Sequence, residues 1–184
     1  MKKKVLSVLL AAACVLSMAA CGSKKDDSSD GPVTAKVIDI DLTDEEYAFG
    51  VDKTQPELLE KVNAFVDKIK EDGTLDERCE RYFGGGEPKK IESAELDSSK
   101  DQLVVATNAE FEPFEYMKGD SYCGIDMEIA ALLAEDLGKE LVIQNMQFDA
   151  VCLSVGQQKC DIAMAGLTVN EERQEYVTFS DSYY

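Results

Sequence analysis

The sequence has 184 residues, 45% hydrophobic and 30% charged, enough for one ordinary domain with tails. Its 19 Lys+Arg oppose 37 Asp+Glu, a formal charge of −18, so no basic stripe is available to neutralise nucleic-acid phosphates. Histidine is absent, which removes Ser-His-Asp and Cys-His nucleophiles, histidine zinc sites and histidine general bases.

At the N-terminus, Lys2 to Lys4 precede an apolar run from Val5 to Ala20 that ends in small residues, the pattern of a secretory signal. The run is shorter than the roughly 20 residues a membrane span needs, so a short spanning anchor is the weaker alternative. Met18-Ala19-Ala20-Cys21-Gly22 resembles a bacterial lipoprotein lipobox. That resemblance implies cleavage of residues 1–20 and lipidation of Cys21. Residues 21–35, rich in Gly, Ser and Asp, read as a flexible tether.

Residues 36–51 predict two short extended runs around the acidic turn DLTDEE, which lacks calcium-loop spacing and reads as solvated. A helix follows, with Pro56 at its first turn and Leu58, Leu59, Val62, Phe65, Val66 and Ile69 on one face. Gly73 stops it, and Thr74-Leu75-Asp76-Glu77 predicts a capping box opening a second helix. Residues 84–100 begin GGG and turn polar, the composition of a linker; the glycines follow a helix and lack a downstream Lys-Ser or Lys-Thr, so they do not make a phosphate loop.

From residue 101 the rhythm becomes β–α–β–α–β: a strand at 102–107, an aromatic loop or hairpin, a helix at 126–138 capped by Asp126 and stopped by Gly138, a strand at 140–146, a helix at 148–158 and a strand at 160–166. Alternation of this kind predicts a parallel sheet, with ligands gathering beyond the carboxyl ends of its strands. Asn108 to Phe114, Phe148 and Gly166 to Arg173 lie at those ends. Cys79, Cys123, Cys152 and Cys160 show no C-x-x-C spacing and sit in or beside apolar runs, which favours free buried thiols over disulfides.

Asn170 reads as a helix N-cap, with Glu171 and Glu172 suited to the first turn. Arg173 opposes the helix dipole there. It either pairs with a neighbouring carboxylate, Phe111 and Phe148 being core, or serves an anion pocket with Gly166, Thr168 and the free N–H groups of the helix start. In the second case the two phenylalanines wall the pocket. No acid, base or nucleophile stands in it, and neither a cofactor nor a metal is expected.

The motifs TNAEFEPFEY, GIDMEIAALLAEDLG and FDAVCLSVGQQKCDIAMAGLTVNEERQEYVTFSDSYY make residues 101–184 resemble the first lobe of the family 3 extracellular solute-binding proteins, the polar-amino-acid receptors of ABC importers. The resemblance implies an α/β, type II periplasmic-binding-protein-like lobe, mostly parallel, with helices on both faces. It implies that Arg173 clamps an amino acid's α-carboxylate and that Thr168 adds its hydroxyl and N–H. The Gly166 carbonyl would accept from the ammonium, and Phe111 and Phe148 would sandwich the side chain. Asn108 stands where many relatives carry an acid, which disfavours a cationic ligand. Residues 36–83 resemble the C-terminal part of the same lobe, placed first, as in a circular permutation.

No segment resembles the second lobe, which in this family closes over the ligand and supplies an acid for its ammonium. The expectation is therefore a piece of a longer, lipid-anchored receptor that feeds an ABC permease, exported and facing outside. The alternatives are an enzyme on the same fold, a dehydratase or lytic-transglycosylase module, and a one-lobe surface sensor.

Overall fold

The structure is a computed structural model that describes residues 45–184. The proposed signal, the lipid site Cys21, the tether and the first extended run at 37–40 lie outside the described residues. Among the described residues, no helix is long and apolar enough to cross a membrane.

The elements run β1 (Gly50–Asp52), α1 (Pro56–Glu71), α2 (Thr74–Phe83), β2 (Gln102–Thr107), β3 (Glu110–Phe111), β4 (Glu115–Lys118) and β5 (Ser121–Cys123). They continue with α3 (Ile125–Asp136), β6 (Glu140–Asn145), a 3-10 turn (Phe148–Ala150), α4 (Val151–Gly156), β7 (Ile162–Ala163), α5 (Glu171–Gln174) and β8 (Val177–Phe179). Five strands form one sheet in the order β6-β2-β7-β1-β8, and β3-β4-β5 form a small antiparallel sheet. β2 is parallel to both β6 and β7. β1 is antiparallel to both β7 and β8, so it alone runs against the other four.

That strand comes from the segment that precedes the linker, and it lies inside the sheet, between β7 and β8, rather than at its edge. Gly50 faces Ala163 on one side and Phe179 on the other. The pairing continues past the strand: Ser180 N donates to Phe49 O, Tyr183 N to Tyr47 O and Tyr47 N to Tyr184 O, at 2.8–3.0 Å. Residues 47–52 are buried throughout, as a strand covered on both faces must be.

Alternation along the strands builds two cores. Phe49, Val51, Leu103, Val105, Ile162 and Met164 face α1 and α3, meeting Val62, Phe65, Val66, Ile129 and Leu133. Ala106, Ala163, Ala165 and Val177 face α4, meeting Val151, Cys152 and Val155. The sheet therefore carries helices on both faces, and all four described cysteines are free.

Local signals differ from expectation at three places. The Thr74 capping box does not form: Gly73, at φ 80°, takes the N-cap position, and Asp72 Oδ1 accepts the Thr74 N–H at 2.9 Å. Asp126 does not cap α3 either. The N-cap is Gly124, and Asp126 is fully buried inside the first turn. The 160–166 strand is regular only over Ile162–Ala163; Asp161 N and Met164 N on either side still donate to Val104 O and Ala106 O of β2, and Gly166 turns away at φ 49°.

The 84–100 stretch connects the two halves while lying against the second. Ile91 bridges Tyr122 and is buried, Ala94 N donates to Leu141 O at 2.9 Å, and Ile143 N donates to Ser93 Oγ at 2.8 Å. It thus extends the exposed edge of β6.

Candidate functional site

β2, β6 and β7 run in the same direction, so the loops that follow them emerge at one end of the sheet. Asn108–Phe114, Phe148 and Gly166–Arg173 all belong to that end. The Asn170 side chain accepts the Arg173 N–H at 2.9 Å, the N-cap bond expected from the sequence. It fixes the start of α5 and with it the root of the Arg173 side chain.

Arg173 folds back over its own loop. Its Nη1 donates to the Thr168 carbonyl at 2.6 Å, and its guanidinium lies 5.0 Å from the centroid of the Phe148 ring. Among the described residues it pairs with no carboxylate. The pairing with Glu171 that would have made it a surface salt bridge is therefore not formed. Phe148 is 39% exposed and Phe111 43%, so neither ring is core. A stack of this kind is worth about 0.5–2 kcal/mol and leaves the outer donors of the fork available.

Arg173 and Phe148 border a hollow of about 340 Å³, together with Asp149, Cys152, Asn170, Glu172 and Tyr176. Burial pushes the Cys152 thiol up to about 11, partly offset by Arg173, so it stays a thiol at neutral pH. A larger hollow, about 470 Å³, opens at the opposite end, beside the starts of α1 and β2. Its Gln55 and Asp161 side chains bond each other at 2.9 Å, and Asp161 also takes the Val104 N–H at 2.8 Å. Those contacts are structural.

Gly166 sits under the Phe111 ring: a Cβ there would come within 2.9 Å of Phe111 Cε1. With φ at 49° as well, the position requires glycine. Its N–H donates to Asp126 Oδ2 at 2.9 Å, and the other Asp126 oxygen accepts the Tyr183 hydroxyl. Phe111 stacks on Phe114 at 5.6 Å and meets Tyr47 edge-on at 6.4 Å.

Thr168 bridges Tyr47, and its hydroxyl donates to Glu45 Oε2 at 2.8 Å. No described residue accepts its backbone N–H. Asn108 is engaged elsewhere: its Nδ2 donates to Met146 O at 2.8 Å, tying the end of β2 to the end of β6. Phe111, Gly166, Thr168, Arg173 and Phe148 thus form one run of contacts and shared loop, and Asn108 braces the floor beside them.

Three acids here were not legible in the sequence. Glu45 sits in an acidic run that reads as solvent-facing. Asp126 reads as a cap. Glu115 lies in the aromatic hairpin, fully buried, with neither carboxylate oxygen hydrogen-bonded to a described residue. Burial, then the neighbouring Asp126 charge, pushes Glu115 up to about 10. Burial also raises Asp126 to about 6, against the Gly166 and Tyr183 hydrogen bonds that favour its ionised form.

Residues 103–184 match the family described as bacterial extracellular solute-binding proteins, family 3. The arginine-binding extracellular protein ArtP of Bacillus subtilis is 38% identical over 88 residues, 48% of this chain and 34% of that protein. The cyclohexadienyl dehydratase of Pseudomonas aeruginosa is 37% identical over 82 residues, 44% of this chain and 31% of that protein. Among solved structures, the arginine-bound form of domain 1 from TmArgBP is 36% identical, with a TM-score of 0.44, covering 49% of this chain and 74% of that one. The chain spans about a third of the length of the curated relatives it matches. Residues 103–184 belong to the bacterial extracellular solute-binding proteins, family 3.

Proposed function

We propose that this chain forms the carboxylate-binding lobe of an exported amino-acid receptor that serves an ABC importer and is anchored through lipid on Cys21. The observation that carries the reading is Arg173: a guanidinium at the strand-end face, stacked on an exposed phenylalanine and paired with no described carboxylate. In this reading Arg173 and the Thr168 N–H hold the α-carboxylate, Phe111 and Phe148 flank the side chain, and the Gly166 carbonyl faces the ammonium. On this reading the segment at 45–83 supplies an interior strand and two helices that a permuted order brings to the front of the chain.

Several matched relatives are named as arginine- or histidine-binding proteins, which makes polar amino acids the first ligands to test. An Arg–carboxylate pair open to water is worth about 1 kcal/mol or less, so a second lobe closing over the ligand is needed for tight binding. Arg173→Ala in the full-length receptor is expected to lower amino-acid affinity at least about 100-fold, given a desolvated, bidentate contact. Unchanged affinity by calorimetry rejects the site. For the anchor, Cys21→Ser is expected to move the protein from the membrane fraction to the soluble one.

A second reading has its own support in the dehydratase relative and in Glu115, a buried carboxyl held protonated beside Gly166. A neutral carboxylic acid near a ligand is suited to general-acid chemistry. Turnover of prephenate or arogenate, lost in Glu115→Gln, would establish it over the receptor reading.

A further inference from the structure

Gly166 begins the loop that carries Thr168 and Arg173, and three side chains fix it. Asp126 Oδ2 accepts its N–H at 2.9 Å. The Phe111 ring lies against it and leaves no room for a Cβ, and Glu115 Oε2 lies 3.8 Å from the point that Cβ would take. Two residues further on, the Thr168 carbonyl holds Arg173 Nη1 at 2.6 Å, so a shift of Gly166 passes to the guanidinium along a short stretch of chain.

Asp126 is itself held. It is fully buried, and its second oxygen accepts the Tyr183 hydroxyl. Tyr183 is fixed in turn: its ring stacks on Phe49 at 4.3 Å, and its N–H donates to Tyr47 O at 2.8 Å. An ionised Asp126 accepts from both donors at once, through bonds that its charge strengthens. A protonated Asp126 carries a proton on one of those oxygens, so either Gly166 loses its acceptor or the Tyr183 hydroxyl must turn away.

The titratable groups that face Asp126 are Glu115 from β4, Cys79 from α2 and Tyr183 from the segment after β8, with Tyr47 next to Glu115 and Tyr183. None is a cation, and Asp126 forms no ion pair with a described residue. Burial raises the thiol and both hydroxyls, and pushes Glu115 up to about 10, so these groups keep their protons at neutral and mildly acid pH. Burial also raises Asp126 to about 6, and the sequence has no histidine to titrate beside it.

Resting on the amino-acid reading above, we infer that Asp126 is a positioning residue of the ligand site: its carboxylate, braced by Tyr183, sets the Gly166–Arg173 loop, so amino-acid capture weakens when that carboxyl takes up a proton in mildly acid surroundings. The same proton acts oppositely on the fold. A charge buried without a cation is costly, so protonation stabilises the folded chain while it loosens the loop. A carboxylate that merely held the fold together would move stability and affinity in the same direction.

The test is the calorimetric affinity of the chain for its tightest-binding L-amino acid other than histidine, whose ring titrates in the same window, from about pH 7.5 to about pH 5. The ligand's α-groups and Arg173 keep their charges there. Wild-type affinity is expected to fall about fivefold over that span while Tm rises. Asp126→Asn keeps an acceptor for Gly166 without the charge, and is expected to bind at the weaker, acid level at every pH. Tyr183→Phe keeps the ring stack and removes a bond that favours the ionised form, so its loss of affinity should begin at higher pH. In the free chain, the Gly166 amide proton shift should follow the same titration. Flat wild-type affinity, an acid loss that survives Asp126→Asn, a loss unmoved in Tyr183→Phe, a Gly166 shift that does not titrate, or a Tm that falls in step with affinity each overturns the role of Asp126 and leaves the Arg173 site standing. Absence of binding by any of these amino acids in the wild type overturns the amino-acid reading, and this inference with it.

Discussion

Glu128 and Glu115 are both buried, 2% and 0% exposed, and the lobe holds them in opposite ways. Glu128 lies on α3 facing α2. Arg81 Nη1 reaches both of its oxygens at 2.9 Å, Arg78 Nε lies 2.8 Å away, and the Tyr82 hydroxyl donates at 2.9 Å. Glu115 has no donor on either oxygen from a described residue. A buried carboxylate without donors is untenable as an anion, so Glu115 is protonated, whereas Glu128 sits in an ion-pair network. The difference separates two uses of burial. One welds the segment before the linker to the helix after it. The other keeps a neutral acid under Gly166, where a charge would compete with the Asp126–Gly166 hydrogen bond that sets the loop.

The network side of that contrast is the easier to break. Glu128→Gln removes the charge that two arginines surround, with side chains 13% and 26% exposed. Removing one partner of a buried pair costs about 3–5 kcal/mol, and the partial exposure of the arginines puts the expectation near the lower end, about 3 kcal/mol in urea denaturation. A loss below about 1 kcal/mol would show that the arginines simply return to water, and that α2 is held by its apolar face instead.

The Glu115 side is sharpened by pH. Its folded pKa is raised to about 10 from 4.5, so the folded state holds a proton that the unfolded chain has released. The stabilisation is complete below about pH 4.5 and is lost as pH rises towards 10. Asp126 acts with the same sign over a lower window, from 3.8 to about 6. The sequence has no histidine, so little else titrates between pH 6 and the thiol and tyrosine range. Wild-type Tm is expected to fall steadily from about pH 6 to about pH 9, and Glu115→Gln to flatten that fall and stand about 5 °C higher at the alkaline end. A wild-type curve already flat over that window would place donors on Glu115 that the folded chain does not show.

The same two acids mark what the sequence could carry. The 102–107 strand and the Asn170 cap are local: β-branched residues in a run, and a side chain three residues from its partner. Gly138 likewise ends α3, at φ 68°. What failed was settled over distance. Asp126 was a plausible cap by its neighbours, and became a buried acceptor because Gly166 and Tyr183, 40 and 57 residues on, close over it. Nothing local singles out Glu115 within the aromatic loop or hairpin; it is buried because α3 packs on β4. For Glu45, the decisive event is strand pairing with residues 166–168, more than 100 positions away. Arg173, by contrast, was visible because it broke a local rule, a cation in the first turn of a helix.

The smallest effect belongs to the cap that roots Arg173. Asn170→Ala removes the acceptor of the Arg173 N–H and is expected to cost about 1 kcal/mol or less, since α5 has only four residues and is exposed. Global stability will register little of this. Amide exchange at Arg173 should accelerate while that of β2 and β7 stays constant, because the opening is local. Ligand affinity should fall by a few fold, since the guanidinium would sample more orientations over Phe148. If Arg173 exchange does not change, the Phe148 stack and the Thr168 carbonyl alone position the guanidinium, and the cap serves the backbone rather than the site.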